Sequence, residues 1–253
     1  MAEEHMKAET SLRDASGNKR RLLFFVFLLL YVVVVHSIDT LSILGVKKPF
    51  NWTFFRWIVF EEAPIRVSSE RGTILYPLLG MDIFKFAGWF VIPFIIVSPT
   101  MDWGYFGIRR LKKADFYVLF CFAFLGVLAV ATISFIPGLR SYYPALGNAT
   151  VVDKWRVAYH TFFYTLSWIV GWEFLHRYVL LKHATDVFPK WGWLIVPLVE
   201  GVYHLTKHPL EMLGMVFLSI ILCWWTLKRR NMLPAFTVHF LIEMELLLFM
   251  LVL

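Results

Sequence analysis

Glu173, His176, Arg177, Glu200, His204, Glu211, His239, Glu243 and Glu245 lie in the apolar second half of this chain. Carboxylates and imidazoles together serve three kinds of chemistry: proton transfer to a reacting bond, metal ligation and proton relay. Their spacing is informative. Glu173 and Arg177 are four residues apart, as are Glu200 and His204, and His239 and Glu243. On a helix that spacing puts both members on one face. It suits a carboxylate held by a guanidinium, and imidazoles oriented by carboxylates. His204 and His208 repeat it in the manner of helical metal sites, but Pro209 follows at once and ends the helix.

The elements that must carry these groups follow from composition. Of the 253 residues 59% are hydrophobic and 17% charged, against about 45–50% and 25% in soluble domains. A soluble globule, a disordered chain and a disulfide scaffold are excluded. Cys121 and Cys223 sit in apolar runs and read as small buried hydrophobes. Seven stretches have the apolar length of a membrane helix: 22–44, 80–98, 116–137, 157–181, 191–206, 210–227 and 232–252. The first follows a polar tail, 1–21, and is too long for a signal peptide, so it reads as a retained span. The expected fold is an all-α polytopic bundle with residues 22–253 as one membrane domain. Lys19-Arg20-Arg21, Arg109-Arg110 with Lys112-Lys113, Lys182 with Lys190, and Lys228-Arg229-Arg230 occupy alternate loops. The positive-inside rule then puts the N-terminus in the cytoplasm. The net charge of +7 belongs to these loops, and no nucleic-acid partner is expected. Loop 45–79 departs from the rule and concentrates Trp52, Phe54, Phe55, Trp57 and Phe60, which suits an interfacial segment or an eighth span.

Each polar residue has a plainer reading. Arg177 alone can snorkel to headgroups. His176 reads as an interface residue, His208 as a solvated loop residue and Glu245 as facing water or a neighbouring chain. His36 and His160 lie near helix ends. For Glu173, His204 and His239 together the plain reading is weak, because ionisable groups on three spans converge on one another or on water.

The segment Gly171-Trp172-Glu173-Phe174-Leu175-His176-Arg177-Tyr178 resembles the first motif of the CPBP intramembrane proteases. These are the type II CAAX prenyl endopeptidases and their bacteriocin-processing relatives. Glu200-Gly201-Val202-Tyr203-His204 resembles the Phe-x-x-x-His motif, and Asn231 to His239 resembles the approach to the last. The resemblance covers about residues 155–245. Trp172 stands where the family has its first glutamate, Glu200 replaces phenylalanine, and Glu243 replaces asparagine. The run His204-Leu205-Thr206-Lys207-His208-Pro209-Leu210-Glu211 is similar to a His-x-x-Lys-Pro-x-x-Glu variant with one residue inserted.

The resemblance implies hydrolysis of a peptide bond in a membrane-embedded or lipid-modified peptide, with membrane lipid around it. Transferred to this chain, Glu173 activates water, His204 positions it, His239 holds the oxyanion, Glu243 donates to it when protonated, and Arg177 orients Glu173. No cofactor is required. The alternative is zinc on Glu173, His204 and His239. A catalytically inactive relative that binds a membrane peptide or partner, and a proton-coupled transporter, are the rival readings. Compact loops suit a prokaryotic cytoplasmic membrane. Straight spans leave one tension: Glu173 and His239 fall about 12 and 10 Å from the cytoplasmic end, but His204 about 20 Å.

Overall fold

The computed structural model describes residues 2–43, 62–69, 72–107, 111–143 and 146–252. Helix α1, Ala2–Ile43, takes the polar tail and the first span into one rod. Phe25, Leu28, Val32 and Val35 are buried on one side of it at helical spacing, and Leu23, Phe27, Leu30 and Val34 on the other are exposed. Strands β1, Glu62–Ser69, and β2, Gly72–Leu78, pair as an antiparallel hairpin. The hairpin is a small addition to a fold that is otherwise all-α, as expected. Arg66 and Pro64 are exposed while Ile65 between them is buried, and Ile65 and Leu78 cover Leu146, Val157, Leu247 and Met250. The aromatic run 52–60 and the Arg109-Arg110 pair lie outside the described residues.

The remaining helices are α2, Ile83–Thr100; α3, Lys113–Phe135; α4, Pro137–Tyr142; α5, residues 151–187; α6, Ile195–Tyr203; α7, Pro209–Arg229; and α8, Leu233–Val252. Among the described residues five helices are long and apolar enough to cross a membrane: the Ser16–Leu41 part of α1, then α2, α3, α7 and α8. Two of the seven expected spans, 157–181 and 191–206, are not among these five. Helix α5 is long, but it carries Glu173, His176 and Arg177. Helix α6 has nine residues, about 14 Å of rise, against a hydrocarbon core of about 30 Å. Pro197 falls in its first turn, where a missing N–H costs least. A 3₁₀ turn, His204–Thr206, follows.

Helix α5 widens to π geometry over Phe174–Leu180, and α2 does so over Phe86–Val91. The two π segments pack together. Gly171 lets α5 approach α2 so closely that a Cβ there would stand 2.9 Å from the Trp89 Cβ and 3.1 Å from the Phe90 nitrogen. At the other helices, sequence-local caps set the starts: the Thr150 hydroxyl accepts from the Asp153 N–H, and Asn231 Oδ1 accepts from the Leu233 N–H. Asp115 in α3 accepts from Trp225 Nε1 at 2.9 Å and Arg229 Nε at 2.8 Å, fastening α3 to α7. The basic clusters gather at one end of the bundle: Arg229 meets Asp115 beside Lys112 and Lys113, Lys182 reaches the Thr100 carbonyl, and Phe24 of α1 meets His183.

Candidate active site

The site is built where α5 passes from α to π geometry. The Nδ1–H of His239, on α8, donates to Glu173 Oε1 at 2.7 Å. Glu173 Oε2 has no hydrogen-bond partner and faces the Arg177 Nε at 3.4 Å. The guanidinium of Arg177 is instead forked onto Glu200 of α6, with bonds of 2.7 and 3.0 Å to its two carboxylate oxygens. Glu173, Arg177 and Glu200 are all fully buried. Arg177 therefore does not snorkel. A parallel pair of charge-assisted bonds of this kind is the strongest polar contact available to an arginine.

Two expected pairings are replaced. The Glu200 carboxylate does not orient His204; the Glu200 backbone carbonyl does, accepting from His204 Nδ1 at 2.8 Å. His239 is oriented by Glu173 on another helix, not by Glu243 one turn along its own. In both imidazoles Nδ1 is committed as a donor. Nε2 is the atom left for chemistry.

Trp172 lies at the centre of the rings. Its centroid is 4.1 Å from that of His176, 5.8 Å from His204 and 6.4 Å from His239. Tyr203 and Trp89 close the cage at 5.1 and 5.2 Å. The indole thus stands between both catalytic candidates, in the place where the family motif carries a carboxylate. The tension in depth is settled by contact: the His204 ring lies 5.8 Å from Trp172. Glu200 is pinned to Arg177, and His204 lies just past the end of α6, level with Trp172.

Two cavities meet at these rings. One of about 480 Å³ is mostly apolar and runs among α3, α7 and α8, past Phe122, Leu125, Gly214 and Leu218. The other, about 320 Å³, lies toward Lys85, Tyr164, Trp168 and Trp172. His204, Glu211, His239 and Glu243 line both. Glu173 lines neither. Of the expected set, then, His204, His239 and Glu243 reach the cavities, whereas Glu173 and Arg177 stand behind them. Among the described residues no group of three or more His, Cys, Asp or Glu is placed to hold a metal ion. Of the zinc alternative's three ligands, Glu173 is hydrogen-bonded through Oε1 to His239 Nδ1.

The structure adds residues that spacing did not reveal. His176, expected at an interface, and His36, expected near a helix end, are both buried, and their Nε2 atoms are 3.2 Å apart. His176 Nδ1 donates to the Trp172 carbonyl at 2.8 Å, so His36 supplies the proton between the rings. Tyr203 donates its hydroxyl to Asp39, and Lys85 lies 3.6 Å from the same carboxylate and 5.0 Å above the Trp89 ring. Their sequence signal was an acid and a base inside the first two spans. His160 bonds the Leu79 carbonyl, and His208 caps α7 by accepting from the Leu210 N–H. His208 is accordingly no partner for His204. Cys223 is buried, but Cys121 is exposed, contrary to the expectation for it.

Residues 154–244 match the family model described as type II CAAX prenyl endopeptidase Rce1-like. The matched stretch begins in α5, ends in α8 and holds every motif residue named above. No curated protein and no solved structure matches the chain.

Proposed function

We propose that the protein is an intramembrane endopeptidase that hydrolyses a peptide bond in a membrane-embedded or lipid-modified peptide. The observation that carries this reading is the joint presence of His204 and His239 on the wall where the two cavities meet, each with Nδ1 bonded and Nε2 free to act. The family of residues 154–244 supports the same reaction class. In this reading His239 is the group that meets the carbonyl oxygen. A carboxylate on Nδ1 stabilises an imidazolium, whose Nε2–H can donate to a developing oxyanion. Glu173 is that carboxylate. With Oε1 on His239 and Oε2 turned to Arg177, it acts through His239 rather than on water, which replaces the role first expected of it. His204 Nε2 accepts a hydrogen from the water and positions it. Arg177 and Glu200 fix α6, and hence His204, against α5. The apolar cavity receives the aliphatic part of the substrate. The gathering of basic clusters at one end supports an N-terminus in the cytoplasm.

The test uses the full chain in proteoliposomes with quenched-fluorescence peptides, one set lipid-modified near the C-terminus and one unmodified. Cleavage of either set, lost in His239→Gln, is the expected result. No cleavage of any peptide, together with saturable peptide binding, would replace the enzyme with a non-catalytic peptide-binding relative.

A further inference from the structure

The reaction proposed above needs a base for the water, and neither His204 nor His239 in the roles given them is that base. Trp172 has no carboxylate to offer, and Glu173 is walled off from both cavities. Two carboxylates line both: Glu211 and Glu243.

They are not equivalent. Glu211 sits in the first turn of α7, set there by the His208 cap and by Pro209. Its Oε2 is buried and has no hydrogen-bond partner in the protein. A buried carboxylate oxygen left unpaired is costly, and its persistence calls for a reason. Its Oε1 has a counter-charge in Lys207 Nζ at 3.6 Å. Glu243 has no such ion pair among the described residues. The chain turns back between His204 and Pro209, so the same short bend delivers the imidazole of His204 and the carboxylate of Glu211 to one wall.

We propose that Glu211 is the catalytic carboxylate that activates the water, in place of the glutamate whose position Trp172 fills. The inference rests on the endopeptidase reading. Glu211 takes one proton from the water, and the water oxygen forms a bond to the peptide carbonyl carbon. The carbonyl π pair moves to oxygen, opposite the His239 Nε2–H. Collapse of the tetrahedral intermediate breaks the C–N bond, and Glu211 returns its proton to the leaving nitrogen. The products are a carboxylic acid and an amine, and Glu211 ends as it began.

The experiment compares wild type, Glu211→Gln, Glu211→Ala, Glu243→Gln and His239→Gln in the proteoliposome assay. Glu211→Gln is expected to lower kcat at least 100-fold, within the usual range for loss of an acid–base group, with KM and the thermal midpoint near wild type. In Glu211→Ala, added formate is expected to restore part of the rate, which a purely structural residue would not show. If Glu211→Gln keeps more than a third of the wild-type rate while His239→Gln is inactive, the assignment falls and the endopeptidase reading stands. Loss confined to Glu243→Gln overturns it in the same way. A wild type that cleaves nothing removes the reading beneath it.

Discussion

Arg177 and Glu200 face each other fork to fork, 2.7 and 3.0 Å apart, with no solvent at either side chain. Glu173, four residues before Arg177 on the same helix, gets only the longer 3.4 Å approach. The arginine therefore belongs first to α6. It serves the site by fixing where α6 stops and where His204 emerges.

Removing that acid should show in stability before activity. Glu200→Gln keeps the shape but strands a buried guanidinium, and breaking a buried pair costs about 3–5 kcal/mol. Denaturant titration in detergent is expected to register a loss of that order. Glu200→Phe, the residue of the family motif, loses both bonds and should be at least as damaging here. A loss below about 1 kcal/mol would show that Arg177 finds another partner.

Glu173→Gln should separate orientation from charge. The amide oxygen can still accept from His239 Nδ1, so the ring stays placed, but the imidazolium loses its counter-charge. Peptide cleavage is expected to fall about 10²–10⁴-fold with little change in the thermal midpoint. A rate within threefold of wild type would remove Glu173 from the mechanism.

Gly214 offers a probe of the apolar cavity. It lines that cavity, and a Cβ placed on it meets nothing within 4 Å. Gly214→Leu should fill the space without clash and raise helix stability by up to about 1 kcal/mol. In the endopeptidase reading, KM for lipid-modified peptides rises several-fold while an unmodified peptide is unaffected. Equal effects on both peptides would place the aliphatic group elsewhere.

Gly171→Ala tests the seam between the two π segments. The added methyl meets Trp89 and the Phe90 backbone inside 3.2 Å, and overpacking of this kind costs about 1–3 kcal/mol. The expected result is a lower thermal midpoint in detergent. An unchanged midpoint would mean that α2 shifts freely against α5.

How much of this was legible beforehand depends on the range over which a signal acts. Spacing within one helix held for Glu173 and Arg177, which do share a face, but it did not pair the Glu200 carboxylate with His204 or His239 with Glu243. Partners on different helices were not readable. Glu200 chooses Arg177 over His204, and Glu173 chooses His239, because tertiary packing decides which faces meet. Depth failed for His204 because it was counted from the loop end, whereas its level is set by packing against Trp172 of α5. The π turn at 174–180 has no period of its own in the chain. Glu211 had a partial signal, the Lys207 to Glu211 run, but an inserted residue hid its register until the bend at Pro209 was seen. His36 was passed over because a lone imidazole near a helix end is ordinary until its neighbour is known.

That last pairing has a consequence for biosynthesis. His176 lies 140 residues downstream of His36. At ribosomal speeds of about 5–20 residues per second, α1 waits on the order of ten seconds before its imidazole can be matched. During that interval His36 lacks the imidazole on α5 with which it pairs. That contact thus forms only after α5 has been made.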